Sequence, residues 1–537
     1  EIYRMGWYGG SGGRLHARMG PFDGIEQSAP LVDPATGMVA TDWTPSAQLQ
    51  VPMDWVSGAY LARLIRADGF DNYVPFVVRN DSRPADLMVQ LPVTTYQAYN
   101  NFPDDGATGK SLYDFHSYGA APTNGPSDQT RAEMVSFDRP YSGKGSGQFF
   151  TYDYPALRWM ERSGYDLTYS TSIDTHTDRA RILNHRGFVS LGHDEYWTLE
   201  MYDNVEMVRD HPSGDTDVAF LGANNVYWRI GLLKSPSSGL PNRVVYSQRR
   251  QNVDRWREQG RPEQQLIGVQ YVAPFSFDYK PFVVAAANSF VWRGAGVSNG
   301  TALDGLVGYE VDNLDPSYPG PPAVGGQTFL AASPFQGNTH QASIYRAASG
   351  SWVFASGTLN WSWGLGAPDQ PQKESAAVQI AMANVFDRFL ADPPPPTTVA
   401  RATTMSELMS ANDYRRTTDG DVLRLYRAFF DREPDVAGAR YWLNVRRNYS
   451  LIQISQFFAA SEEYRIRYSG TDDREFLRRV YANVLGRSFD QSGFDYWLDV
   501  LRGTNASGQN PARGRASRGE VVRWVTASTE FTTNYPY

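Results

Sequence analysis

The chain has 537 residues, of which 41% are hydrophobic and 20% charged, the composition of a folded globular protein of about three domains. It contains no cysteine, which excludes disulfides, a thiol nucleophile, thiolate metal sites and iron–sulfur clusters. The formal net charge of −8 argues against nucleic acid as a partner, and no apolar run approaches the ~18 residues needed to span a bilayer.

Residues 1–82 read as all-β. Ile2–Met5, Leu49–Val51 and Tyr73–Val78 are short β-branched or aromatic runs separated by Gly, Pro and Asp. Tyr60–Ile65 alternates as a half-buried strand. These strands are too few for a whole sandwich, so a β-sandwich portion with a truncated start is expected. Gly9–Gly13 joins β segments and opens no helix, which predicts a hairpin or flexible turn instead of a phosphate loop.

Between 83 and 392 strands and helices alternate, predicting a mainly parallel sheet covered by helices. Strands are expected at Asp86–Leu91, Leu167–Tyr169, Phe188–Leu191 and Val218–Leu221, with helices at Tyr154–Arg162 and Leu199–Val208. Residues 100–150 form a loop long enough for a lid or a binding loop. Further β runs follow at Val244–Tyr246, Phe290–Trp292 and Ser351–Ala355, and a helix at Glu374–Leu390 closes the domain. The four prolines at 393–396 open a stiff linker over residues 393–404. Residues 405–537 predict a small all-α domain with two copies of one unit. Leu425-Tyr426 through Tyr441-Trp442-Leu443 recurs as Val480-Tyr481 through Tyr496-Trp497-Leu498.

Chemistry is expected where predicted strands end. Gly192-His193-Asp194-Glu195-Tyr196-Trp197 follows one strand and precedes a helix, the position at which open α/β sheets place their sites. The alternative is a helix N-terminus whose acids cap free N–H groups. Two neighbouring strand ends carry Thr94–Asn100 and Gly222-Ala223-Asn224-Asn225. Side by side, the three would bring phenols, a His-Asp-Glu turn and a carboxamide into one cleft. Simple packing of Tyr-rich strand edges remains the competing reading.

These motifs, in this order, resemble the large (beta) subunit of N,N-dimethylformamidase and its bacterial family. The resemblance rests on Tyr3–Gly10, Val51-Pro52 with Trp55 and Tyr60, Gln97–Asn100, Gly192–Trp197 and Gly222–Asn224 with Tyr227-Trp228. Gly308–Asp312, Gly357-Thr358 and Trp361–Trp363 complete it, over roughly residues 1–392. The tail is similar to a helical repeat domain of unknown function found in secreted and cell-surface bacterial proteins. The resemblance implies a β-sandwich followed by a glutamine-amidotransferase-like α/β domain. It also implies one ferric ion (Fe3+) held by two tyrosines and a glutamate. By motif these are Tyr99, Glu195 and Tyr60, while Glu310, His193 and Asn224 match catalytic and neighbouring positions. Asp194 is left as a helix cap. In this chain the family's Gly-Gly pair after Ala-Tyr-Asn is replaced by Asn101-Phe102-Pro103-Asp104, and its Ser-Leu-Tyr appears much later, at Ser111-Leu112-Tyr113.

The expected function is therefore hydrolysis of a non-peptide C–N amide bond by a ferric enzyme. Hard anionic oxygen donors suit a ferric ion, which would act as a Lewis acid. The alternatives are a non-catalytic surface-binding module and a hydrolase of the same fold acting on a carbohydrate-linked bond. The implied partners are a small-molecule amide and a small subunit or a second copy of the chain, with no nucleic acid and no membrane span. A secreted or cell-surface location is implied by the tail.

Overall fold

The computed structural model describes residues 1–104, 110–113, 131–247, 254–272 and 274–391. In the tail it describes 422, 425–426, 428–430, 442, 451–461, 464, 468, 471–481, 490–504 and 515–526. The fold mixes helix and strand across many sheets and has a helical C-terminal region. It divides into two compact units, the larger made of Glu1–Gly6, Gly12–Glu161 and Tyr165–Asp392. Residues on both sides of the expected 82/83 boundary thus belong to one unit. Among the described residues, no helix is long and apolar enough to cross a membrane.

The larger unit begins with an antiparallel four-stranded sheet. Its strands are β1 (Ile2–Met5), β2 (Gly13–Ala17), β3 (Gly58–Ile65) and β4 (Asp71–Val78), in the order β2-β1-β3-β4. Side chains alternate across a strand. Ala59 and Leu61 of β3 join the main core, and Tyr60 between them packs with Ile2 and Val78 in a separate cluster. Arg4 of β1 reaches Glu161 in a buried ion pair of 2.6 Å. The strand expected at Leu49–Val51 does not form: the segment lies outside every strand, with Val51 exposed. A short apolar run without a hydrogen-bonding neighbour gains nothing from extension.

The centre is a seven-stranded sheet of β5 (Leu87–Leu91), β6 (Leu167–Thr171), β7 (Gly187–Leu191), β8 (Asp217–Leu221), β9 (Ala323–Phe329), β10 (Ser343–Ala347) and β11 (Trp352–Ala355). The order is β9-β10-β11-β8-β7-β5-β6. Strands β6, β5, β7, β8 and β11 run parallel, and β10 and β9 add antiparallel at one edge. Strands β5, β7 and β8 are buried at every position, as a sheet covered on both faces requires. Leu87, Val89, Leu91, Val189, Leu191, Ala219 and Leu221 point into one core with α2 (Tyr154–Arg162) and α5 (Ala376–Ala391). Met88, Phe188, Val218 and Phe220 point into another with α4 (Leu199–Arg209). The short helices α1 (Val93–Ala98) and α3 (Ser172–Thr177) follow β5 and β6 directly.

The chain leaves β5 for β6 on one side and returns to place β7 on the other. The carboxyl ends of β5 and β7 therefore flank a topological switch point, the place where such sheets bind ligands. Phe290–Trp292 is a 3₁₀ turn, not a strand, because the Ser289 hydroxyl accepts the Val291 N–H and starts a helical turn.

In the tail the described helices are α6 (Leu451–Ala460), α7 (Asp473–Val480), α8 (Gln491–Arg502) and α9 (Arg518–Thr526). Leu425 and Tyr426 share one buried core with Val480 and Tyr481, the equivalent positions of the expected second copy. The proline-rich linker at 393–404 and the repeat positions Tyr441 and Leu443 lie outside the described residues.

Candidate active site

Three spatially adjacent strands, β5, β7 and β8, end together, and each hands the chain to a polar segment. After β7 the turn Gly192–Glu195 crosses to the strand Tyr196–Thr198 and then enters α4, whose N-cap is Thr198. Thr95 of α1 fixes the turn: its hydroxyl oxygen accepts Glu195 N–H at 3.0 Å and Tyr196 N–H at 3.3 Å. The turn after β8 closes from the other side, with Val226 N–H on Asp194 O at 2.8 Å and Trp228 N–H on Glu195 O at 2.9 Å. These turns touch so closely that a Cβ on Gly222 would overlap the Gly192 carbonyl oxygen.

Asp194 is not the helix cap expected of it. Its Oδ2 accepts Gln90 Nε2 from β5 at 2.5 Å and Ser190 Oγ from β7 at 2.7 Å, and Thr175 of α3 donates to Gln90 in turn. Burial pushes its carboxyl up to about 6 against these hydrogen bonds. The helix lies beyond an intervening strand, so Asp194 faces the sheet instead and locks the turn to β5 and β7.

Glu195 is the centre of the cluster. Its Oε2 accepts the Tyr99 hydroxyl at 2.8 Å and the Tyr113 hydroxyl at 3.0 Å. The two phenol rings stack at 4.1 Å, and Tyr196 donates to Tyr113 at 2.8 Å. His193 Nε2 stands 3.3 Å from the same Glu195 oxygen and 3.1 Å from Glu310 Oε2. Those are ion-pair distances without hydrogen-bond alignment: both His193 nitrogens, Glu310 Oε2 and Asn224 Oδ1 are buried and lack a hydrogen bond. Burial by itself would lower the His193 pKa; the Glu310 carboxylate, helped by Glu195, outweighs it and pushes the imidazole up to about 10. Burial, then the Glu195 charge, raises the Tyr99 phenol well above its usual range.

Glu310 is delivered by the hairpin of Ser276–Val283 with Ala302–Tyr309, anchored by the bridge of Val311 to Thr358 after β11. Asn224 stands on the β8 turn, where its N–H donates to Asp312 Oδ1 at 2.8 Å. Burial pushes the Asp312 carboxyl up to about 7.

The structure thus brings Tyr99, His193, Glu195 and Glu310 together and sets Asn224 on the adjoining turn. It does not bring Tyr60 to them. The Tyr60 ring packs in the outer cluster of the small sheet, stacked on Trp55 at 5.1 Å, and its hydroxyl donates to Val56 O at 2.8 Å. Strand alternation decides this, because the neighbours Ala59 and Leu61 take the inward positions. The second phenol at Glu195 is Tyr113, from the 100–150 loop. Its signal lay in the displaced Ser-Leu-Tyr. Among the described residues no group of three or more His, Asp or Glu is disposed to hold a metal ion, so a metal here would depend on phenol oxygens.

No curated protein matches the chain. Residues 455–535 match the domain of unknown function DUF4214. Residues 1–375, the part that builds all three strand ends and Glu310, match the family described as N,N-dimethylformamidase beta subunit-like, C-terminal. The chain belongs to the N,N-dimethylformamidase beta subunit-like family.

Proposed function

We propose that the protein is an amide hydrolase whose site holds one ferric ion through Tyr99, Tyr113 and Glu195. The observation that carries this reading is the meeting of two phenol hydroxyls on one carboxylate oxygen, Glu195 Oε2. Three hard oxygen donors fit a ferric ion, and His193 Nδ1 and Asn224 Oδ1, buried without a hydrogen bond beside them, fit a polar reactant. The doubly covered parallel sheet with its strand–turn–helix at 187–209 is consistent with a glutamine-amidotransferase-like domain. Family membership supports a small partner subunit.

When bound, the ion supplies Lewis acidity toward an amide carbonyl and toward water. The residues do the rest. Glu310 takes a proton from the attacking water and returns it to the departing amine nitrogen. His193, held beside two carboxylates, donates toward the carbonyl oxygen as negative charge grows there. The Asn224 side-chain amide serves the same oxygen from the β8 turn. Thr95 and Asp194 hold the turn still.

The test is expression in iron-replete medium followed by metal analysis, visible spectroscopy and an amide-hydrolysis assay. One equivalent of iron per chain, with a phenolate-to-iron charge-transfer band, is expected. Colourless, metal-free protein would overturn the reading.

A further inference from the structure

Beside Glu310 the surface changes character. Phe275 directly precedes the strand Ser276–Val283, Phe277 and Tyr279 lie within it, and the Phe275 and Phe277 rings meet at 6.4 Å. They are 58%, 70% and 36% exposed, whereas the core keeps its aromatics buried. Phe275 and Phe277 both lie against the Tyr309 ring, at 5.3 and 5.0 Å. Tyr309 directly precedes Glu310 in the chain. Tyr279 lies over Gly308, where a Cβ would meet its ring, and packs edge-on against Trp363 at 5.4 Å. An exposed aromatic cluster therefore packs on the residue next to Glu310 in the chain.

We propose that Phe275, Phe277 and Tyr309 form a subsite for a flat apolar substituent, so that the preferred substrate is an amide carrying an aromatic group. The inference rests on the amidase reading and deepens it. A ligand with a polar amide head and a planar apolar body matches both ends: orphaned polar atoms inside, open rings outside. A dimethylated one-carbon amide would leave both phenylalanines in water. Each ring–ring contact contributes up to about 10-fold in affinity.

The test uses full-length protein and two probes, acetanilide and N,N-dimethylacetamide. Binding is measured by calorimetry on the Glu310→Gln variant, and kcat/KM on the otherwise unaltered chain. Acetanilide is expected to bind at least 10-fold more tightly, and the preference should vanish in Phe275→Ala/Phe277→Ala. If that pair impairs folding, Phe277→Ser alone should lower the preference. Equal binding of the two probes, or a preference that survives the substitutions, overturns the proposal. So does a double variant that changes only the oligomeric state in light scattering, which would make the rings a protein interface. Selective acetanilide binding without hydrolysis of either probe would support the subsite while defeating the amidase reading.

Discussion

Around Tyr60 the Trp55 ring stacks nearly parallel, at 5.1 Å and 5°, His16 closes edge-on at 5.3 Å, and the phenol hydroxyl ends on a backbone carbonyl. Around Tyr99 the rings of Tyr113 and His193 come as near, but the Tyr99 and Tyr113 hydroxyls end on a shared carboxylate, beside His193 Nδ1 and Asn224 Oδ1, which are buried without a hydrogen bond. Both clusters consist of tyrosine, histidine and aromatic neighbours in the same unit. The first is finished as it stands, because burying a satisfied phenol stabilises. The second keeps buried polar groups unsatisfied, a cost that proteins carry where a ligand will meet them.

Five substitutions, two of them a pair, break or sharpen that contrast, starting with the largest effect. Glu195→Ala removes the oxygen on which the cluster converges, so iron content and amide hydrolysis should both fall to background. Circular dichroism should show the fold retained, and full iron in this variant would refute the ligand set. Gly222→Ala drives a methyl into the Gly192 carbonyl and should cost more than ~3 kcal/mol in urea unfolding, because the two turns cannot separate without losing Glu195.

The third is a pair. Tyr113→Phe should abolish or strongly shift the charge-transfer band and reduce kcat/KM by at least ~100-fold. Tyr60→Phe should leave band and rate unchanged and cost about 1 kcal/mol of stability. The reverse pattern would restore Tyr60 as the second phenol.

The last effect shows only as a dependence on pH and concerns His340, a buried ring with Nδ1 at 3.2 Å from Ser333 Oγ and Nε2 at 3.0 Å from Ser356 O, just past β11. Burial pushes its pKa down from 6.5 to about 4. Between those values the unfolded chain binds more protons, so this contribution to stability is complete above pH 6.5 and is lost as pH falls toward 4. The full window corresponds to roughly 3 kcal/mol. Relative to the unsubstituted chain, His340→Gln should therefore gain roughly 3 kcal/mol of stability at pH 4.5 over pH 7, read from denaturation at the two pH values. Asp194 and Asp312, pushed up to about 6 and 7, act with the opposite sign, losing stability as pH rises, and the variant isolates the histidine from them.

Much of the frame is legible in the sequence. β5, β7 and β8 read as continuous apolar runs because both faces of each are buried. Their shared polar ends followed from β-α-β succession. Phe290–Trp292 misled because the same apolar triplet suits a strand or a capped turn, and a single serine chose between them. Asp194 misled because its partners, Gln90 and Ser190, belong to two different strands.

The sequence by itself determined which residues would lie at strand ends, since apolar periodicity and turn residues act over a few positions. It also carried the motifs that placed Tyr99, His193, Glu195, Asn224 and Glu310 in one family. Only the tertiary structure showed that the Tyr113 hydroxyl meets Glu195 while that of Tyr60 ends on a backbone carbonyl. One phenol is turned outward by alternation within a small sheet, and the other meets a carboxylate 82 positions away in sequence, a pairing no local pattern encodes. Burial and shared hydrogen bonds are properties of what surrounds a side chain, and those surroundings exist only once distant segments have met.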